Sequence, residues 1–196
     1  MKEKKDLRSV KTMNAIEHTL IDLLVDKTFQ SITVDEIAKK AVINRSTFYL
    51  HYHDKYHLLD DISDKKIKKV INTIHDEPHI SNEKLDSQLF SNDLEDSLNV
   101  IAANHKFYQF ILNDNESLGL RKKMEDALFD KLSTSFPVDT IMERELLLKI
   151  ISAIYTSVIS WWLNKNMIYS VHYMSTELVK FFKLGTINII NGNYKK

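Results

Sequence analysis

The stretch that decides the fold runs from Thr33 to Leu59 and reads TVDEIAKKAVINRSTFYLHYHDKYHLL. Its first four residues fit a capping box, in which Thr33 accepts a hydrogen bond from a backbone N–H and Glu36 reaches back to the N-cap amide. We therefore predict a helix that starts at Thr33. Its apolar side chains, spaced as on one helical face, are Val34, Ile37, Ala38 and Ala41.

A second, shorter helix follows after a break of three residues. Val42 and Ile43 interrupt the first helix, and Asn44 is a favourable N-cap for a helix from Arg45 to about His51. Two short helices joined in this way form a helix-turn-helix. The fold predicted for this part of the chain is therefore that of a small helical DNA-binding unit.

The shorter helix carries side chains suited to the major groove of duplex DNA. On a helical wheel Phe48 and Tyr52 face the core, which leaves the rest of the helix surface for DNA. Arg45 is able to pair bidentately with guanine, and Leu50 is able to touch a thymine methyl group. The residues on this outer surface are Arg45, Ser46, Thr47, Tyr49, Leu50 and His51.

The same stretch resembles the DNA-binding signature of the TetR (tetracycline-repressor) family of transcription regulators. The signature is a Thr-capped helix with Ile-Ala, a short turn, Thr-Phe-Tyr-x-His followed by an aromatic residue, and then Lys and a Leu pair. The matching positions are Thr33, Ile37, Ala38, Ala41, Thr47, Phe48, Tyr49, His51, Tyr52, Lys55, Leu58 and Leu59. The resemblance is close over about the first 75 residues and covers the remainder only in size and helix order.

The resemblance implies an operator-binding regulator, in most members a repressor that a small molecule releases from DNA. It implies phosphate contacts for Thr47, Tyr49 and His51, with Thr33 on one side and Lys55 on the other. Asn44 and Ser46 complete the expected DNA-binding set. Two positions depart from the pattern, because Val42 and Ser46 stand where glycine is common. Either the turn at Val42 is built differently or it absorbs strain; alternatively, Val42 and Ile43 pack as an apolar plug between the two helices.

The rest of the chain predicts further helices. A first amphipathic helix covers Ser9 to Val25, and a long fourth helix starts near Asp54 and ends before Pro78. The polar stretch 77–86 is the expected loop between domains. Later helices are expected near 87–103, 105–114, 118–135, 140–165 and 174–190. The predicted fold class is all-α: residues 1–54 form the DNA-binding domain and 55–196 a regulatory and dimerisation domain, with helix 55–76 as the connector.

The last two helices are the expected dimer interface. The run from Ile141 to Leu163 is apolar almost all round its helix, which indicates burial on more than one side. In the family the corresponding helices form a twofold four-helix bundle, so the resemblance implies a homodimer on a palindromic operator. The resemblance also implies an effector pocket, and an apolar or aromatic small molecule is the default ligand. The residues expected to line it are His105, Phe107, Tyr108, Phe110, Ile111, Met124, Tyr155 and Trp161.

Composition supports a helical globule and excludes several other classes. Three glycines and two prolines leave few turn residues, and the absence of cysteine excludes disulfides and thiolate sites. Residues 1–70 contain 14 basic and 11 acidic residues, a net charge of +3 in a chain that is neutral overall. We expect a cytoplasmic protein without a signal peptide, membrane segment or cofactor.

Three alternatives compete with this interpretation. The first is a co-regulator with the same fold that acts through a protein partner instead of operator DNA. The intact DNA-binding positions argue against it, and they are Thr47, Tyr49, His51 and Lys55. The second is an enzyme, which the lack of a Gly-x-Ser-x-Gly elbow or a glycine-rich phosphate loop disfavours. A metal site at His51, His53 and His57 is disfavoured because no acidic or sulfur ligand is placed to complete it.

Overall fold

The computed structural model describes residues 2–76, 80–81, 84–113, 118–136, 140 and 142–190, and the side chains of most of them. Within these ranges the chain is almost entirely helical. The helices are α1 (Lys2–Asp26), α2 (Val34–Lys40), α3 (Arg45–Tyr49), α4 (Lys55–Ile71), α5 (Ser87–Ala102), α6 (His105–Asn113), α7 (Leu120–Ser135), α8 (Arg144–Asn164) and α9 (Val171–Ile190), with a short 3-10 turn at Phe29–Ser31.

The N-terminal three-helix unit forms because each helix buries one apolar stripe. Ile16 and Leu20 of α1, Ile37 of α2 and Phe48 of α3 are fully buried against one another and against Leu58 of α4. Helix α2 begins as expected, since the Thr33 hydroxyl accepts a hydrogen bond from the Glu36 amide at 3.2 Å. The second half of the capping box is wrong: the Glu36 carboxylate instead accepts from Lys27 Nζ at 2.5 Å.

The C-terminal part is a bundle in which α5 packs against α9, and α8 packs against α6 and α7. Helix α4 contacts α1, α5 and α7, so it connects the two parts. One cluster of buried apolar residues runs from Ile16 to Leu178 without interruption. The predicted domain boundary between residues 54 and 55 therefore crosses a continuous core. The division into two domains stays a prediction.

Two expected boundaries differ from the structure. The connector helix was expected to run to residue 76, but it ends at Ile71, and Asn72 is its C-terminal cap. The stretch predicted as loop contains a short antiparallel pair, β1 (Ile80–Ser81) with β2 (Lys84–Leu85), while residues 77–79 and 82–83 lie outside the described part of the chain. Since each strand has only two residues, the pair leaves the all-helical architecture unchanged.

Helix α8 is long and apolar enough to cross a membrane by length and composition, although the sequence was expected to contain no such segment. One such helix is weak evidence for a span, because the core helix of a globular protein passes the same test. In this chain Leu148, Ile159 and Trp162 of α8 are buried against other helices.

Candidate functional site

Helix α3 is held from its inner side by aromatic residues. Phe48 is fully buried and Tyr52 is almost so, as the helical wheel predicts. The Tyr52 hydroxyl lies 3.3 Å from a Glu17 oxygen and 3.1 Å from an Asp61 oxygen, and Lys65 Nζ donates to the same two oxygens at 2.6 and 2.7 Å. Burial raises the pKa of Tyr52, so the hydroxyl stays a neutral donor. These contacts fix the end of α3 on α1 and α4.

The opposite side of α3 faces outward. Arg45, Ser46, Tyr49 and Leu50 are exposed, and Leu50, the C-terminal cap of the helix, has 81% of its surface open. Thr47 is half-buried, and so is His51, just beyond the helix. The outer side of α3 is therefore accessible, while its inner side is fixed by packing.

Arg45 is oriented by two neighbours on this surface. Its guanidinium lies 3.2 Å from a carboxylate oxygen of Asp35 in α2, and Nη2 donates to the Tyr49 hydroxyl at 3.3 Å. The bond to Tyr49 and then the charge of Asp35 raise the pKa of Arg45. Because both members of the ion pair are largely exposed, the pair is weak and Arg45 is able to exchange Asp35 for another partner.

The turn between α2 and α3 absorbs strain at Val42. Its φ is +57°, a left-handed conformation that β-branched residues rarely adopt. The Val42 amide donates to Lys39 O and the Ile43 amide to Ala38 O, which is the Schellman pattern that glycine usually completes. The plug interpretation is wrong for Val42, which is 90% exposed, whereas Ile43 packs against the core.

Lys55 has a structural environment that the sequence did not reveal. Its Nζ donates to three backbone carbonyls, those of Phe29 at 2.8 Å, Gln30 at 2.9 Å and Ile32 at 2.8 Å. An ammonium group has three protons, so these bonds use all of them. Lys55 was expected to contact phosphate. In the structure its ammonium group instead stabilises the turn before α2.

The remaining polar candidates lie around the same surface. Thr33 is exposed at the start of α2, and the side chain of Asn44 makes no capping bond to α3. His57 Nδ1 accepts from the His53 amide at 3.2 Å, and the two rings stack. Among the described residues there is no group of three or more His, Cys, Asp or Glu side chains able to hold a metal ion.

A second feature is a cavity of about 40 Å³ in the C-terminal bundle. Its wall is almost wholly apolar, since the Tyr155 hydroxyl donates to Ser97 Oγ at 2.9 Å and Ser152 Oγ donates to Leu148 O. The lining residues are Ile74, Phe90, Asp93, Leu94, Ser97, Leu128, Leu132, Ile151, Ser152, Tyr155 and Phe182.

The expected pocket residues do not converge on this cavity, except Tyr155. Phe107, Ile111 and Met124 are buried core, and Phe110 is partly buried beside it. The Tyr108 hydroxyl donates to Lys66 O at 2.9 Å, which joins α6 to α4. His105 is exposed at the start of α6, and Trp161 is 46% exposed on α8. Phe90 and Phe182 line the cavity, and their rings meet edge to face at 5.6 Å. Sequence analysis did not identify them, because the sequence pattern does not predict that α5 packs on α9.

The last two described helices, α8 and α9, expose an apolar surface. Leu146 and Ile150 of α8 are exposed, and Trp161 stacks on Tyr169, which stacks on Tyr173. Between the helices lies an open groove, lined by Ile154, Val158, Trp161, Tyr169, Tyr173, Met174, Glu177, Leu178 and Phe181. Large apolar side chains in such number on one face are typical of a protein interface.

Comparison with known families matches both parts of the chain. Residues 18–62 match the model described as bacterial regulatory proteins of the tetR family, and residues 88–184 match the model described as a transcriptional regulator C-terminal region. Over 47 residues the chain is 40% identical to an uncharacterized HTH-type transcriptional regulator, YxbF, of Bacillus subtilis strain 168. That match covers 24% of this chain and 12% of the relative.

Solved structures show the same fold along most of the chain. The fatty acid degradation regulator FadR of Bacillus halodurans has a TM-score of 0.68 at 18% identity, covering 89% of this chain and 95% of its own. A TetR transcriptional regulator of Streptococcus agalactiae has a TM-score of 0.65 at 21% identity, covering 93% and 99%. FadR of Bacillus subtilis in complex with stearoyl-CoA has a TM-score of 0.66 at 16% identity, covering 88% and 98%.

The geometry and the comparisons agree on one class of protein. A helix-turn-helix with an outward-facing α3 lies within one matched segment. Most of the helical bundle lies within the other, with every residue that lines the cavity except Ile74. Both family models describe transcriptional regulators, which implies that the chain is a regulator and not an enzyme. The chain belongs to the TetR family of bacterial transcriptional regulators.

Proposed function

We propose that this chain binds operator DNA as a homodimer, represses transcription there, and leaves the DNA when a small apolar molecule enters the C-terminal bundle. The observation that carries the proposal is the pairing of a buried aromatic inner face on α3 with an outer face of exposed Arg45, Tyr49 and Leu50. We place this activity in the cytoplasm and propose no membrane partner.

On DNA, α3 enters the major groove with its outer face toward the bases. Arg45 pairs with guanine after leaving Asp35, and Leu50 contacts a thymine methyl group. Ser46 lies on the same exposed face. Thr47, Tyr49 and His51 contact backbone phosphates, together with Thr33 and Asn44. Lys55 is left out of this set because its ammonium is already bound to three carbonyls.

The dimer forms through α8 and α9. Exposed Leu146, Ile150 and Trp161 contribute apolar surface to this interface. A twofold axis through this surface presents two α3 helices to one side of the duplex. Half-sites about 34 Å apart, one turn of B-DNA, would then be read as a palindrome.

The effector occupies the cavity among α5, α7, α8 and α9. Its nearly apolar wall favours a hydrocarbon-like ligand, and the structurally similar FadR of Bacillus subtilis is known in complex with stearoyl-CoA. The cavity is too small for an acyl chain, so binding has to separate the packed helices. Asp93 of α5 accepts from the His75 amide at 2.8 Å, and Ile74 lines the cavity. An opening cavity therefore pulls on the segment that follows α4.

Selection of binding sites from random duplex DNA at fixed salt tests the proposal. Enrichment of a palindrome by the wild-type chain, lost in Arg45→Ala, supports operator reading by α3. Recovery of no preferred sequence contradicts it and favours action through a protein partner. Stearoyl-CoA and stearate, added to the selected complex, test release: they should lower operator affinity at least tenfold if the cavity takes an acyl chain, and have no effect if it does not.

A further inference from the structure

The part of α1 from Leu7 to Thr12 lies beside the turn that precedes α3. Among the α1 side chains that the structure describes, from Leu7 onward, the first buried one is Ile16, while Leu7 is 62% exposed and Val10 is 45% exposed. A groove runs between this part of α1 and the turn that precedes α3. It is lined by Arg8, Thr12, Val42, Ile43, Asn44 and Thr47.

The chemistry of this groove is that of an anion site. Arg8 supplies a guanidinium, and no carboxylate is among the described residues that line it. The Asn44 side chain makes no capping bond to α3, so its amide is available as a donor. Thr12 Oγ1 donates to Arg8 O at 2.9 Å, which keeps that hydroxyl turned onto α1. A cation with neighbouring neutral donors and no acid fits a phosphate group.

The groove is continuous with the proposed DNA-binding face. Asn44 and Thr47 belong to both, since they precede and form part of α3. When α3 enters the major groove of a duplex, the sugar–phosphate backbone runs beside the helix, within reach of side chains that flank α3.

We infer that Arg8, from the N-terminal third of α1, contacts a backbone phosphate of the DNA duplex and so extends the DNA-binding surface beyond the helix-turn-helix. This inference rests on the proposed function, because the duplex is the one that α3 binds. A phosphate contact contributes affinity without reading sequence, and it releases counterions. Its signature therefore differs from that of a base contact.

The test is fluorescence anisotropy with the selected palindrome and with a scrambled duplex, over a series of salt concentrations. The full-length chain is compared with Arg8→Ala, Arg8→Lys and Lys122→Ala, the last removing one exposed positive charge from α7. Thermal unfolding of each variant shows that the fold is kept.

For a dimer, Arg8→Ala should reduce the slope of log affinity against log salt by about 2 and weaken binding to both duplexes about tenfold. Arg8→Lys should recover the slope, and Lys122→Ala should behave as wild type. An unchanged slope in Arg8→Ala overturns the inference while the operator proposal stands. A change confined to the palindrome also overturns it, since that would be a base contact. Sequence-blind binding by the wild-type chain contradicts the operator proposal, yet the slope on the scrambled duplex still decides the role of Arg8.

Discussion

Arg45 and Tyr49 lie one turn apart on α3, and the guanidinium of Arg45 both donates to the Tyr49 hydroxyl at 3.3 Å and lies 5.5 Å from the centre of its ring. The tyrosine thus orients the one cationic side chain on the outer face of α3. A proposed phosphate ligand and a proposed base reader therefore act as a unit.

Removing only the hydroxyl of Tyr49 should disturb both roles at once. In Tyr49→Phe the ring remains, but the phosphate contact and the bond to Arg45 are lost, so operator affinity should fall about tenfold. In Tyr49→Ala, which also removes the ring, operator affinity should fall further. Anisotropy with the selected palindrome at fixed salt measures both. Equal affinities for wild type and Tyr49→Ala would show that this face of α3 does not meet DNA.

The strained turn gives a prediction about stability. Val42→Gly should raise the free energy of unfolding by about 1 kcal/mol, because glycine accepts a φ of +57° without the clash that a β-branched side chain makes. Urea unfolding measures the change. Ile43→Gly is the matched control and should lose stability, since Ile43 packs on the core. A Val42→Gly variant less stable than wild type would mean that the turn carries no strain.

Lys55 gives a prediction that distinguishes a structural from a DNA-binding lysine. Lys55→Met keeps the apolar stem and removes the three bonds to carbonyls, so the free energy of unfolding should fall by about 2 kcal/mol. The salt slope of operator binding should stay that of wild type. Lys39→Met, at an exposed site on α2, controls for the lost charge. If Lys55→Met reduced the salt slope of operator binding and left the free energy of unfolding unchanged, Lys55 would be a phosphate ligand and not a structural residue.

The dimer surface is tested by one charge in its groove. Ile154→Glu places a carboxylate among Val158, Trp161 and Phe181, where a second copy would have to desolvate it. Light scattering at micromolar concentration should give twice the chain mass for wild type and for Lys122→Glu, but the mass of one chain for Ile154→Glu. A monomeric wild-type chain would refute the interface.

The helix-turn-helix was predictable from sequence because its signals are local. Thr33 three residues before Glu36, and Phe48 four before Tyr52, determine a cap and an inner face without reference to the rest of the chain. The strain at Val42 is only partly predictable, since the sequence shows a missing glycine but not whether the backbone still turns left-handed.

The roles of Lys55 and of the cavity residues were not predictable, because they depend on contacts between distant segments. Lys55 meets carbonyls some 25 residues earlier in the chain, and they converge only once the turn before α2 has folded. Phe90 and Phe182 meet because α5 packs on α9. By residue type, Tyr108 and Trp161 were equally plausible as pocket residues. In the structure Tyr108 lies in the core and Trp161 lies on the surface.

Whether α3 reads sequence is tested most directly by the ratio of affinities for the selected palindrome and a scrambled duplex, measured at one salt concentration for wild type and Arg45→Ala. We expect a ratio of about 10³ or more for wild type. In Arg45→Ala the ratio should fall about tenfold to a hundredfold, with preference relaxed at a single base pair of each half-site. A wild-type ratio near one, or a ratio that Arg45→Ala leaves unchanged, would show that α3 does not read sequence.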